Sequence, residues 1–158
     1  MEIQAITEQD RSWVRSFLCE CWSAPEVVTR GHVHHADKLP GFIAVEAEKP
    51  VGLVTYSFRN GECEIVTLDS LQSGKGIGSM LVRSVVDLAF HKGCKRVWLI
   101  TTNDNTGALH FYQKVGFQLV AVYRGAVEKS RELKPDIPEI GNNGIPIRDE
   151  IELEIRAD

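Results

Sequence analysis

Leu68-Asp69-Ser70-Leu71-Gln72-Ser73-Gly74-Lys75-Gly76-Ile77-Gly78-Ser79-Met80-Leu81 joins two different periodicities. Upstream, Glu62 to Leu68 alternates and reads as a strand; downstream, Ile77, Leu81, Val82, Val85, Leu88 and Ala89 share one side of a helix. Three glycines at alternating positions therefore fall between a strand and a helix N-terminus. Glycine lets the backbone turn sharply and leaves its amide unshielded. Free amides and the positive end of the helix dipole together make an anion site suited to phosphate or pyrophosphate.

Spacing excludes two phosphate loops. A Walker A loop requires a glycine five residues before Gly74, where Asp69 stands, and Gly76 follows Lys75 in place of Ser or Thr. A dinucleotide fingerprint beginning at Gly76 and Gly78 requires a third glycine where Leu81 lies. The stretch instead resembles the acyl-CoA pyrophosphate loop of the GNAT superfamily of N-acetyltransferases, Arg/Gln-x-x-Gly-x-Gly/Ala. Gly76 and Gly78 match its small positions; Ser73 replaces the Arg or Gln, with Gln72 one place early.

A second stretch, Asn103 to Phe117, resembles the other signature of that superfamily, Asn-x-x-Ala-x-x-Phe/Leu-Tyr-x-Lys-x-Gly-Phe. Asn105, Ala108, Phe111, Tyr112, Lys114, Gly116 and Phe117 fall on its positions. Read physically, Asn105 caps a helix, Ala108 permits close approach and Gly116 ends the helix. Ala108, Phe111, Tyr112 and Val115 form one face, so Tyr112 reads either as a core aromatic or as a reacting group. His110 points away from Tyr112 at helical spacing.

The resemblance covers residues 40–125 well and implies an α/β fold. Its mixed, mostly antiparallel sheet is flanked by helices and splayed at the acyl-CoA site between the strands carrying Glu64 and Trp98. It implies acetyl-CoA as co-substrate and attack by an amine in a ternary complex. Cofactor contacts then fall to Val66 and Leu68, to Ser73, Gly74, Lys75, Gly76, Ile77, Gly78 and Ser79, and to Asn105 and Lys114. Tyr112 becomes the acid that protonates the departing thiolate, a reasonable transfer between reference values of about 10 and about 8.5. A base is also required, because an ammonium of reference pKa about 10.4 cannot attack a thioester. Glu64, a carboxylate among Cys63, Ile65 and Val66, is the candidate, directly or through water; alternation with Glu62 equally allows an exposed strand face.

Elsewhere Ile3 and Ala5 start a strand, and Thr7 caps a helix over 8–22 whose Trp13, Val14, Phe17, Leu18, Cys21 and Trp22 form a core face. Pro25 to Arg30 reads as a short helix ended by Gly31. His32, His34, His35 and Asp37 follow; their spacing fits no zinc site, and the resemblance makes them candidate acceptor contacts against a solvated loop. Strands over 42–47, 51–58 and 62–68 form a meander, turned by Glu48-Lys49-Pro50 and by Asn60-Gly61. Arg96–Thr101, Gln118–Arg124 and Glu150–Arg156 are further strands, the last with Ile151, Leu153 and Ile155 inward, and 125–149 is a long connection.

The 158 residues suit one domain, 1–158. A net charge of -4 argues against a nucleic-acid partner, and no apolar run reaches the roughly 20 residues of a membrane span. Four cysteines with no CxxC pair, and no signal pattern at the N-terminus, point to a reduced, cytoplasmic protein without a metal. The expected partner is a small-molecule amine or peptide acceptor, and a homodimer is open. The competing class is a non-catalytic acyl-CoA sensor or interaction module.

Overall fold

The computed structural model, which describes residues 1–158, turns the alternating stretches into strands and the 3.6-period stretches into helices. The result is a mixed α/β fold, mostly antiparallel, with helices packed on the sheet. No helix is long and apolar enough to cross a membrane. The chain divides into two compact units: residues 1–27, 35–97 and 157–158 form the first, and residues 28–34 and 98–156 the second.

In the first unit, β1 (Glu2–Ala5), β4 (Gly41–Glu46), β5 (Lys49–Arg59) and β6 (Glu62–Ser70) lie in that order, each pair antiparallel. Helix α1 (Arg11–Trp22) covers one face. Its Val14, Phe17 and Leu18 pack with Val27, Ala36, Ile43, Leu53 and Val66, which makes the apolar stripe of α1 a core face. Helix α2 (Ile77–His91) buries Ile77, Leu81, Val82, Val85 and Ala89, and it ends at Lys92 with Gly93 at φ +84°. Gly52 on β5 leaves it room, since a Cβ there would lie 2.7 Å from Ile77 Cγ2.

The second unit contains most of β7 (Arg96–Thr102), with β9 (Glu150–Arg156) between it and β8 (Gln118–Tyr123). Helix α3 (Thr106–Lys114) and helix α4 (Ala126–Leu133) complete it.

Four expectations change. Residues 26–35 are no helix: β2 (Glu26–Thr29) and β3 (His32–His35) pair as a ribbon. Its two turn residues, Arg30 and Gly31, have φ +48° and +75°, as a two-residue hairpin requires, and Val27-Val28-Thr29 is a β-branched run. The next turn is Ala47-Glu48, both at positive φ, so Lys49 already begins β5 and Pro50 pairs with Val45 beside a bulge. The long connection holds α4, hidden because Ala126 to Leu133 buries only Val127 and Ser130. Lastly, β9 buries polar residues: Glu150 is 3% and Glu152 6% exposed, while Ile151 and Ile155 are half-buried.

Candidate active site

The ladder between β5 and β6 runs regularly from Arg59↔Glu62 until Tyr56↔Ile65, then resumes at Thr55↔Thr67. Val66 is the extra residue, a bulge that takes its backbone out of the pairing pattern. Cross-strand partners share a face, and Leu53, Thr55 and Ser57 alternate along β5, so Asp69, Thr67 and Glu64 project from one face of β6. Leu53 packs in the α1 core, which identifies this as the α1 face. Glu64 is 6% exposed, so the exposed-face reading of this carboxylate fails. Alternation did place it correctly relative to Glu62, whose carboxylate instead meets Arg96 at 3.2 Å.

Along the same face Thr55 and Thr67 join their hydroxyls at 2.6 Å, and the Trp22 indole donates to Asp69 Oδ2 at 2.7 Å. Trp22 thus does more than pack: it fastens the end of α1 to the end of β6. Burial pushes the Asp69 carboxyl above its ordinary range, and the indole bond opposes that only in part. Burial likewise pushes the Cys63 thiol, beside Glu64 on β6, up to about 12, so its thiolate is scarce at neutral pH. A raised carboxyl means the folded state holds its proton more tightly than the unfolded chain. Its contribution to stability is full at acid pH and is lost as pH rises through the folded value. We expect Asp69→Asn, which keeps an acceptor for Trp22, to raise Tm at pH 7 and to leave it unchanged near pH 3. Thermal melts at the two pH values check this, and an equal shift at both would rule out the charge as the cause.

After β6, Leu71 N still bonds Val51 O at 2.8 Å, and the chain then leaves the sheet. Gly74 and Gly76 adopt φ +77° and +73°, values an L side chain rarely takes. Gly76 is the N-cap of α2, and its carbonyl accepts the first helical bond, from Met80 N at 3.1 Å. The amides of Ile77, Gly78 and Ser79 come before that bond and have no acceptor within the helix. Lys75, half-exposed, has its ammonium 4.0 Å from Glu46 on β4, and Ser73 is exposed. These amides, the helix dipole and the lysine fit a phosphate-bearing group.

In the second unit Asn105 caps α3, its Oδ1 accepting from Ala108 N at 3.1 Å. Gly116 closes the helix at φ +114°. Tyr112 is 7% exposed, and its ring meets Phe111 and Phe117 edge-on at 5.1 and 5.5 Å, so it is both a core aromatic and a fixed phenol. Lys114 is exposed at the end of the helix.

Sequence reasoning missed the two residues before Asn105. Asn103 Oδ1 accepts from Arg148 N and Asp149 N, both at 2.9 Å, and its amide donates to Pro146 O. Asp104, 3% exposed, accepts from the Thr102 hydroxyl and from Asn142 N and Nδ2. Gly141 is required there, since any Cβ would overlap the Asp104 carboxylate. The long connection is thereby tied to the start of α3. The signal was present: Asn-Asp-Asn beside a Gly-Asn-Asn-Gly turn supplies side chains that bond backbone amides.

The structure separates the roles of the histidines. His34 is buried, with Nε2 2.9 Å from the Thr29 hydroxyl, and its ring meets His32 edge-on at 4.5 Å. His32 and His35 are exposed. Asp37 accepts from Arg15 on α1 at 2.9 Å, and its carbonyl accepts from Arg11, so this carboxylate secures the helix. No cluster of these side chains could hold a metal. The ribbon itself is anchored at its turn. The Arg30 guanidinium lies 3.4 Å above the Tyr123 ring and 3.5 Å from Glu150, while Tyr123 donates to Glu152 at 2.7 Å. Those contacts explain how β9 keeps two glutamates buried.

A family model described as acetyltransferase (GNAT) family matches residues 6–117. Among curated relatives, the uncharacterized protein YdhI of Bacillus subtilis is 48% identical over 136 residues, 85% of each chain. Among solved structures, the IAA acetyltransferase from Bacillus cereus superposes with a TM-score of 0.76 at 23% identity, covering 98% of both chains. A Bacillus subtilis acetyltransferase in complex with CoA gives a TM-score of 0.70 at 19% identity, covering 99% of this chain and 100% of that one.

Proposed function

The chain belongs to the acetyltransferase (GNAT) family, and on that premise we propose that it transfers the acetyl group of acetyl-CoA to a primary amine by direct attack in a ternary complex. The observation that carries the reading is the sequence of features along β6. A buried carboxylate at Glu64 is followed by a bulge at Val66 and then by a glycine turn into a helix N-terminus. Carboxylate, bulged backbone and anion cradle follow one another in the order that base, thioester and pyrophosphate require. A structural neighbour crystallised with CoA supports the choice of co-substrate.

The steps balance with this chain's own groups. Glu64, or a water held by it, removes a proton from the ammonium of the acceptor. The free amine attacks the thioester carbonyl carbon, and the amide of the bulged Val66 donates to the carbonyl oxygen as negative charge gathers there. The tetrahedral intermediate expels the thiolate as the C–S bond breaks, and the Tyr112 phenol gives that sulfur its proton. The second proton of the attacking nitrogen leaves to restore the phenol, so that a neutral amide remains, and Glu64 returns its own proton to solvent. Proton transfers of this kind contribute about 10²- to 10⁴-fold each. The amides of Gly76 to Ser79 and Lys75 hold the pyrophosphate, with Leu68 and Asn105 along the pantetheine arm. Exposed His32 and His35 contact the acceptor, and His34, bonded to Thr29, holds the His32 ring edge-on. Residues 1–158 act as one catalytic domain, in the cytoplasm, where Cys19, Cys21, Cys63 and Cys94 remain free thiols.

The test is release of CoA thiol from acetyl-CoA against a panel of amines and peptides. Amine-dependent release with a mass gain of one acetyl group on the acceptor supports the proposal. Binding of acetyl-CoA with no release for any acceptor favours the sensor reading, to which Ser73 in the Arg/Gln position already points.

A further inference from the structure

The first unit contains a concave surface that the acyl-transfer reading leaves unused. It is a cleft of about 780 Å³ on the α1 side of β1 and β4. In the strand order β1-β4-β5-β6 it lies over the first two strands, and it shares no residue with Glu64 to Ser79. Its floor is apolar: Ile43 and Val45 face up from β4, with Gln4 and Glu2 of the paired edge strand beside them. One wall is Trp13, whose ring stacks on Phe17 at 4.9 Å and 17° and so is held in one orientation. Glu2, Asp10 and Glu48 supply three carboxylates, against which only the Met1 α-ammonium is cationic; no lysine, arginine or histidine lines the cleft. Asp10 is fixed by Thr7, which donates to it from both backbone and hydroxyl, and Glu48 is fixed at φ +65° in the turn from β4 to β5.

An aromatic face, an apolar floor and an excess of carboxylates select one ligand chemistry. The ring quadrupole and the carboxylates attract positive charge, the floor takes hydrocarbon, and an anion satisfies neither. We propose that this cleft is a second ligand site, separate from acyl transfer, that binds a small organic cation bearing an apolar body. A volume of this size holds a molecule of drug-like dimensions, and the fixed Trp13 ring makes the site largely pre-formed.

The probe is benzyltrimethylammonium, which carries no N–H and cannot be acetylated, titrated calorimetrically into the full chain saturated with CoA. Benzyl alcohol is the neutral control. The proposal expects saturable binding of the cation, no detectable binding of the alcohol, and weakening as salt rises. Glu2→Gln with Glu48→Gln, both at exposed positions, and Trp13→Leu should each weaken binding about three- to tenfold. The charge variant carries the test should Trp13→Leu disturb packing on Phe17. Equal binding of cation and alcohol, no binding at all, or an affinity unchanged in the charge variant would overturn the proposal. So would loss of binding in Glu64→Gln alone, which would put the cation at the acyl-transfer site.

Discussion

Tyr112→Phe should lower kcat by about 100-fold or more while acetyl-CoA binds with nearly unchanged affinity. The substitution removes one oxygen and keeps the ring. That ring is what Phe111 and Phe117 touch, and the Tyr112 carbonyl, which accepts from Phe117 N at 2.9 Å, is untouched. A merely structural tyrosine would therefore reveal itself as a change in Tm with little change in turnover. The acid role makes the opposite demand: Tm moves little, kcat falls, and KM for acetyl-CoA holds. Acetyl donors whose leaving thiol is more acidic than that of CoA should suffer less, because a good leaving group needs less help from a proton donor. Steady-state kinetics beside a thermal melt separate the two, and unchanged kcat would remove Tyr112 from the chemistry.

The second large effect is on folding. Gly41→Ala should cost about 3 kcal/mol and lower Tm by roughly 10 °C. Gly41 opens β4, where its carbonyl accepts from Ile6 N at 3.0 Å and its Cα is paired with Thr55. A methyl group at this Cα would overlap the Val54 carbonyl oxygen and would lie 3.1 Å from Thr55 Cα. Both are backbone atoms of a strand held on its other side by β6, so neither can swing away as a side chain does. Gly107→Ala is the matched control. A Cβ there meets nothing within 4 Å, the residue is helical, and the change should leave Tm unchanged or slightly raised. Similar losses for the two would mean that the strain at Gly41 is relieved elsewhere.

What the sequence made legible follows from how local each determinant is. The cap at Asn105, the end of α3 at Gly116, the Asn60-Gly61 turn and the glycines leading into α2 depend on a few adjacent residues, and all were readable. The ribbon at 26–35 was not, because Pro25 and Gly31 punctuate a helix and a hairpin equally well. Only pairing, closed by Ala36 N to Pro25 O at 2.9 Å, decides between them. The burial of Glu150 and Glu152 was invisible for the same reason: their partners, Arg30 and Tyr123, lie 120 and 27 to 29 residues away in the chain. As for the candidate site, Glu64 and Tyr112 stood out by type and motif. Neither the bulge at Val66 nor the bond from Trp22 to Asp69 leaves a mark in composition, since a bulged valine reads like any other apolar residue of a strand.

That valine also fixes how this strand can change in length. β6 contains one residue more than β5 needs, so its pairing has slack at a single place. If Val66 or Ile65 were lost, the slack would close. Glu64 would still stand opposite Ser57 and Thr67 opposite Thr55, with every other side chain on its present face. The loss of a residue nearer either end leaves the slack too far away to absorb it, and the segment beyond the gap turns inside out. A deletion that keeps every side chain on its face against β5 is therefore available at the bulge and not at the paired positions of β6. There the change keeps the fold and removes the bulge whose amide is proposed to meet the thioester oxygen.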